Sequence, residues 1–515
     1  MCCFDTLKRL KTRYKAVLFG ALFWGILSNG MGVFNKYSYH DDINNLFRHQ
    51  GSAVMGRWML KVLDRCEDVI FGDLNYSLPL INGALAVLLI ALATCVIVTL
   101  LDIEDNIVCF LLAGIMVVFP VITSMFGYLY TIHFYMFGML LGIIGTYLVC
   151  KSYKWYFIVI GIVLMSCAIG VYQAFVPLNL SFMTIYFLLF LFNAENTSIK
   201  IISKKAFILM SSVISSLGLY FMMNNFFLNL SGESLTDYQG ISSMGKSGIN
   251  EYLHRIGDAY TLFFIPDKDA PYYMYPDNIL WIYLLIIAFL IVLILMWNVR
   301  YMAISKIGAM CAFGTFLLIP VCVNFVFVMA GEQQTHALMV YAQCVPFIML
   351  ICLIKKYPYR FEKMRKCITA FAYSLILMLN IMYCRYDNKC YLKATYIQTE
   401  AISYFTTLIT RIKSAEGYKD EYPVLYVNPG SISDKSLEKL EPLSEIQNAP
   451  YWDLNFYVND FAWIRFMAVW CGYSPEYTTV QTEDCTDEYI LKMASYPDDG
   501  SIQIINKTVV VKLGD

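Results

Sequence analysis

Charge is scarce in this chain. Only 15% of its 515 residues are Asp, Glu, Lys or Arg, against about 25% in ordinary soluble domains. With 58% of residues hydrophobic, that balance argues against a soluble domain and for a polytopic membrane protein. Lys plus Arg and Asp plus Glu nearly cancel, so the net charge of −1 is uninformative and the distribution of charge carries the meaning. Several chemical signatures are also missing. There is no glycine-rich phosphate loop, no His-Glu-x-x-His pair and no nucleophile elbow. The 16 cysteines show no metal-ligand spacing, and most, such as Cys95, Cys109 and Cys344, fall inside apolar runs where cysteine acts as a small hydrophobe. Cys2 and Cys3 lack an acylation context and read as cytoplasmic thiols. Ala16 to Phe34 is too long for a cleavable signal and lacks a small-residue cleavage pattern.

Long hydrophobic runs are what the chain has in abundance. A stretch near 20 residues crosses a hydrocarbon core about 30 Å thick. Eleven are expected, at 16–35, 78–101, 107–123, 128–149, 155–171, 175–193, 206–228, 278–298, 308–330, 336–354 and 367–384. Lys and Arg in the connections then set the orientation. Lys8 to Lys15, Lys151, Lys154, Lys200 to Lys205 and the run from Lys355 to Lys366 all fall on one side, which predicts an N-terminus inside and a C-terminus outside. The expected fold is a polytopic α-helical membrane domain over 1–384, with outer loops 36–77 and 229–277. A small external C-terminal α/β or α+β domain is expected over 385–515.

Within that tail, Ile397, Ala401, Phe405, Leu408 and Ile412 have helical spacing. Val424 to Val427 reads as a strand ended by Asn428-Pro-Gly430, and Ser501 to Leu513 as two strands around Asn506-Lys507. Cys471 and Cys485 pair outside the cytoplasm or stand as two free thiols; the sequence supports both.

With this topology the polar residues near span ends gather on the outer side. Asp41 and Asp42 follow the first run beside His40, with Arg48 and Arg57 downstream. Tyr130, His133, Tyr172, Gln173, Glu332 and His336 lie at other outer ends. Ionised groups at a lipid boundary are costly unless they face water, a partner or a substrate. Each residue also has a plain alternative. Tyr130 fits an interfacial aromatic belt, His133 and His336 fit hydrogen bonding at the membrane edge, Glu332 fits a solvated loop, and Arg57 fits the anchor of an interfacial helix. One of the two aspartates fits a helix N-cap, and a cap needs only one. Paired carboxylates suit proton abstraction or metal binding, and an arginine grips phosphate through parallel hydrogen bonds. Carboxylate, arginine and aromatics at a lipid boundary fit sugar transfer from a lipid phosphate.

The chain resembles the Gtr-type glucosyltransferase membrane family, associated with serotype conversion of bacterial surface polysaccharide (O-antigen modification), and more broadly the GT-C glycosyltransferases. The likeness rests on His40-Asp-Asp42, Gly56-Arg-Trp-Met-Leu60, Phe119-Pro120, Gly170-Val-Tyr-Gln-Ala-Phe175 and the closing Gly500-Ser-Ile and Val509-Val-Val-Lys-Leu513. It spans nearly the whole chain through short, moderately specific motifs. Where family members often carry an acidic residue after the Thr of a segment like Tyr130-Thr-Ile-His133, this chain has Ile132-His133. The resemblance implies transfer of a glucosyl or similar hexosyl unit from a polyprenyl-phosphate donor to a cell-surface or lipid-linked glycan, at the outer face of a bacterial plasma membrane, with no nucleic acid involved. On that reading Asp41 or Asp42 is the base, and the other orients the sugar or a divalent cation (Mg or Mn), if there is one. Arg57, with Arg48, stabilises the phosphate. Trp58, Tyr130 and Tyr172 stack on sugar or guide lipid, and Gln173 binds hydroxyls. A polysaccharide polymerase and a lipid-linked glycan transporter are the rival expectations.

Overall fold

Proline and small polar residues punctuate the apolar runs and fix where helices start and stop. The computed structural model describes residues 11–37, 41–47, 53–72, 74–193, 198–236, 247–331, 334–428, 462–481 and 487–514. The chain forms two compact units, Met1–Lys36 with Phe47–Asn388, and Tyr37–Leu46 with Lys389–Asp515.

The first unit is helical. Its elements are α1 (Thr12–Phe34), α2 (Trp58–Phe71), α3 (Pro79–Leu100), α4 (Asn106–Val118), α5 (Pro120–Phe126), α6 (Ile132–Lys151), α7 (Trp155–Val171) and α8 (Phe175–Leu191). They continue with α9 (Ile199–Ser231), α10 (Ile249–Phe264), α11 (Ile279–Met302), α12 (Lys306–Val323), α13 (Phe325–Ala330), α14 (Val345–Lys356) and the first part of α15 (Glu362–Ser414). Helix α1 packs on α3 and α4, α6 on α7 and α3, and α8 on α12.

Seven of these helices (α1, α3, α6, α9, α11, α12 and α15) are long and apolar enough to cross a membrane, and an eighth is counted if α4 and α5 form one bent span. This is a mostly helical membrane protein. All eleven expected runs coincide with helical elements, but the described residues do not form eleven long continuous helices. Helices α7 and α8 are short at 17 residues each, about 26 Å of rise. The expected run 336–354 opens with 3-10 turns at Ala337–Met339 and Tyr341–Cys344 before α14 begins.

Phe119-Pro120 bends the chain by 47° between α4 and α5. Pro120 has no N–H to offer the Met116 carbonyl four residues back. The Tyr341 hydroxyl donates to that carbonyl instead. Asn29 similarly donates to the Val117 carbonyl at 3.1 Å. Around this bend lies a buried polar network that the sequence reading did not single out. Ser28 Oγ donates to Asp387 Oδ2 at 2.5 Å, Asn29 Nδ2 donates to Ser28 Oγ at 3.1 Å, and Thr123 donates to Asn29 Oδ1 at 3.1 Å.

At the opposite helix ends an ionic cluster ties several connections together. Asp105 caps α4 by accepting from the Ile107 and Val108 N–H groups. It also pairs with Lys355 at 2.5 Å and accepts from Tyr373 at 2.9 Å. Asp102 pairs with Lys151 at 2.6 Å. Burial opposes ionisation of Asp105, but Lys355, the Val108 N–H and Tyr373 outweigh it and hold the carboxyl below its ordinary value.

The second unit carries a four-stranded sheet of order β2-β1-β4-β3, built from β1 (Val424–Val427), β2 (Thr478–Gln481), β3 (Ile502–Ile505) and β4 (Thr508–Lys512). β1 pairs parallel to β2 and β4, and β3 pairs antiparallel to β4. The hairpin turns at Asn506 and Lys507, both at positive φ, as a tight two-residue hairpin requires. Val427, Ile490, Met493 and Val510 form an apolar cluster. Trp463 heads α16 (Trp463–Cys471) and meets the Tyr426 ring edge-on at 4.7 Å. The helical spacing at 393–412 is realised as the last part of α15, which runs unbroken from the apolar segment at 367–384. Cys471 is described and partly buried, whereas Cys485 lies outside the described residues.

Candidate active site

The chain segment before α2 contains a glycine that no other residue replaces easily. Gly56 has φ +71°, in the left-handed region that disfavours a Cβ. A Cβ there would also sit 2.3 Å from Gln173 Nε2 and 2.4 Å from Tyr220 Oη. Gln173 Nε2 donates to the Met55 carbonyl at 2.9 Å and to Tyr220 Oη at 3.1 Å. Two residues on, the Trp58 indole lies so close to Gly170 that a Cβ would approach within 2.5 Å of Trp58. The segment Gly56-Arg-Trp is thereby keyed into Gly170-Val-Tyr-Gln, the junction between α7 and α8. Both short motifs noted in the sequence meet at one place.

Arg57 stands between the two keyed residues, at the N-terminal boundary of α2. Its Nη1 donates to Tyr135 Oη at 3.0 Å. The guanidinium carbon lies 5.1 Å from the centre of the Tyr172 ring, and Tyr135 and Tyr172 stack on each other at 5.0 Å with a 19° interplanar angle. A guanidinium carries five N–H donors in a planar fork, the geometry that matches the oxygens of an anion. Arg57 is partly exposed, while Tyr172 is 1% exposed.

The other expected residues of this unit fall into three groups. Trp58, expected to stack on a sugar, is buried among Ile169, Val176 and Tyr220 and stacks on Phe227 at 5.6 Å; its place is a packing anchor. Tyr130 is buried, and its carbonyl accepts from Asn75 at 2.8 Å. His133, 5% exposed, places Nε2 at 3.3 Å from Glu67 Oε2 on α2. His336 is partly exposed and precedes the turn Ala337–Met339, which packs on α5. His40, Arg48 and Glu332 lie outside the described residues.

Asp41 and Asp42 belong to the second unit. They open a one-turn helix, Asp41–Asn44, that packs on α16. Asp42 is fully buried and Asp41 partly exposed. Asn45 donates to the Asp41 carbonyl from both its side chain, at 2.7 Å, and its backbone, at 3.1 Å. Tyr37, just upstream, shares a hydrogen bond with Thr395 at 3.0 Å and stacks on Tyr391 at 6.0 Å. Among the described residues no group of three or more His, Cys, Asp or Glu side chains is arranged to hold a metal ion.

Compared with known protein families, residues 30–351 match Glucosyl transferase GtrII. The chain belongs to that family. Neither a curated protein nor a solved structure matches it. The GtrII match takes in every expected site residue, from His40 to His336, and both interlocking motifs. It establishes a glycosyltransferase of the membrane, with a sugar donor and a glycan acceptor as its partners.

Tyr135, Tyr220 and Glu67 contact the expected residues Arg57, Gln173 and His133 and are not singled out by the sequence. Tyrosines inside apolar helices look like core residues, and Glu67 looks like one more charge on an amphipathic helix. The usable signal was the spacing of Leu60, Asp64 and Glu67, which places two acidic residues on the flank that carries buried Leu60.

Proposed function

We propose that the protein transfers a glucosyl or similar hexosyl unit from a polyprenyl-phosphate donor to a cell-surface or lipid-linked glycan at the outer face of the bacterial plasma membrane. In this reading all eleven apolar segments cross the bilayer, with the N-terminus inside and the C-terminal unit outside. The observation that carries it is the keyed Gly56-Arg-Trp segment, which presents a guanidinium between Tyr135 and Tyr172 at the ends of membrane helices.

The chemistry follows from charge. The acceptor hydroxyl oxygen forms a bond to the anomeric carbon, and the bond from that carbon to the phosphate oxygen breaks. The hydroxyl proton passes to Asp41 or Asp42. The electron pair leaves with the polyprenyl phosphate, whose growing negative charge Arg57 stabilises. On the sequence alone, Arg48 is assigned to the same charge, and His40, Glu332 and His336 to acceptor binding. Gln173 and Trp58 hold the loop that carries Arg57, Tyr172 flanks its guanidinium, and His133 with Tyr130 fixes the adjoining start of α6. An ion bound at Asp41 and Asp42 would need water or substrate oxygens to complete its shell.

The test is glucosyl transfer by purified protein from a short-chain polyprenyl-phosphate glucose, with Asp41→Asn and Asp42→Asn made separately. Loss in at least one variant, with folding intact, is expected. Full turnover in both would remove the base assignment. Translocation of a lipid-linked glycan without a new glycosidic bond would instead identify a transporter.

A further inference from the structure

Helix α2 carries two chemically different flanks. Leu60, Asp64 and Glu67 occupy one side of it. On another side, Lys61 and Arg65 stand one turn apart beside Val62, Cys66 and Val69, and with Phe227 of the membrane helix α9 they enclose a groove of about 500 Å³. Arg65 is exposed, with Asp68 at 3.8 Å as its ion-pair partner, and Lys61 has no ion-pair partner among the described residues. The helix then ends on three consecutive bare apolar residues, with Val69 84%, Ile70 72% and Phe71 73% exposed. Such a run is costly in water and favourable where a helix lies in the headgroup boundary of a bilayer.

We propose that this groove binds an anionic phospholipid of the surrounding membrane. The lipid phosphate would lie against Lys61 and Arg65, and the start of an acyl chain along Val62, Cys66, Val69 and Phe227. Charge complementarity selects the headgroup. Continuity with α9, a helix long enough to span the bilayer, gives the chain a route into the hydrocarbon. The proposal stands on the placement of α2 and not on the transfer reaction. Arg57, held between Tyr135 and Tyr172, is left to the donor.

The experiment uses the delipidated full-length protein, titrated with short-chain phosphatidylglycerol and phosphatidylcholine and read by native mass spectrometry. Each basic residue near an anionic surface contributes about 1 kcal/mol. Lys61→Gln with Arg65→Gln should therefore weaken phosphatidylglycerol binding roughly 30-fold and leave phosphatidylcholine binding unchanged. The charge-preserving pair Lys61→Arg with Arg65→Lys should retain binding, which separates lost charge from lost folding. Equal affinity for the two lipids, or no response to the Gln pair, overturns the proposal. Competitive displacement of phosphatidylglycerol by polyprenyl phosphate also overturns it and gives the groove to the donor.

Discussion

Arg57 and Tyr135 are joined by a 3.0 Å hydrogen bond from the guanidinium to the phenol, linking the loop before α2 to the first turn of α6. Arg57→Lys keeps the charge but loses the planar fork and its stacking on Tyr172. Transfer should fall about 10- to 100-fold, by comparison with other lost electrostatic contacts, with thermal stability little changed. Tyr135→Phe removes one hydrogen bond, worth about 1 kcal/mol, and should lower transfer several-fold. Initial-rate measurements on both variants check this; a fully active Arg57→Lys enzyme would remove the phosphate role.

Gly56→Ala should destabilise the first unit. The left-handed conformation alone costs a non-glycine residue about 1–2 kcal/mol, and the new Cβ would displace Gln173 and Tyr220. The expected result is a lower melting temperature in detergent together with lost transfer. Unchanged melting would show that the loop relaxes freely.

Asp105 makes stability depend on acid. Its carboxyl is held below the ordinary value in the folded protein, where Lys355, the Val108 N–H and Tyr373 together outweigh burial. The stabilisation is therefore present above the unfolded carboxyl value, about 4, and is lost as pH falls through the lower folded one. Asp105→Ala also removes the α4 cap, at about 1 kcal/mol. Melting curves from neutral to acid pH should show the wild type converging on the variant at the acid end.

The leaving group in the proposed reaction is a monophosphate already faced by a cation, so a chelator should leave glucosyl transfer largely intact. Loss of activity on chelation, restored by magnesium or manganese, would instead place an ion at Asp41 and Asp42.

The legible parts of this protein were those written in local chemistry. Asn506-Lys507 announced a hairpin, and the apolar runs announced helices. The likeness of Gly56-Arg-Trp and Gly170-Val-Tyr-Gln to a family marked the right segments. Their interlock was not legible, because Gly56 and Gly170 are small for the sake of side chains more than a hundred residues away. Span continuity was also hidden. Phe119-Pro120 bends what reads as one run, and α15 continues through Arg385 and Asp387, where the polar residues suggested an end. Asp387 itself looked like a tail residue, because nothing local reveals that Ser28 receives it.

The packing of Tyr37 against Thr395 and Tyr391 has a consequence in time. The ribosome makes the segment carrying Asp41 and Asp42 early, and the residues that it folds with emerge only after nearly all the membrane helices. Until then Asp42 and Ile43 lack the surroundings that bury them. An unfinished chain would hold its helices but not a folded acidic segment, so the enzyme would acquire its proposed base only once the chain through α16 has been made.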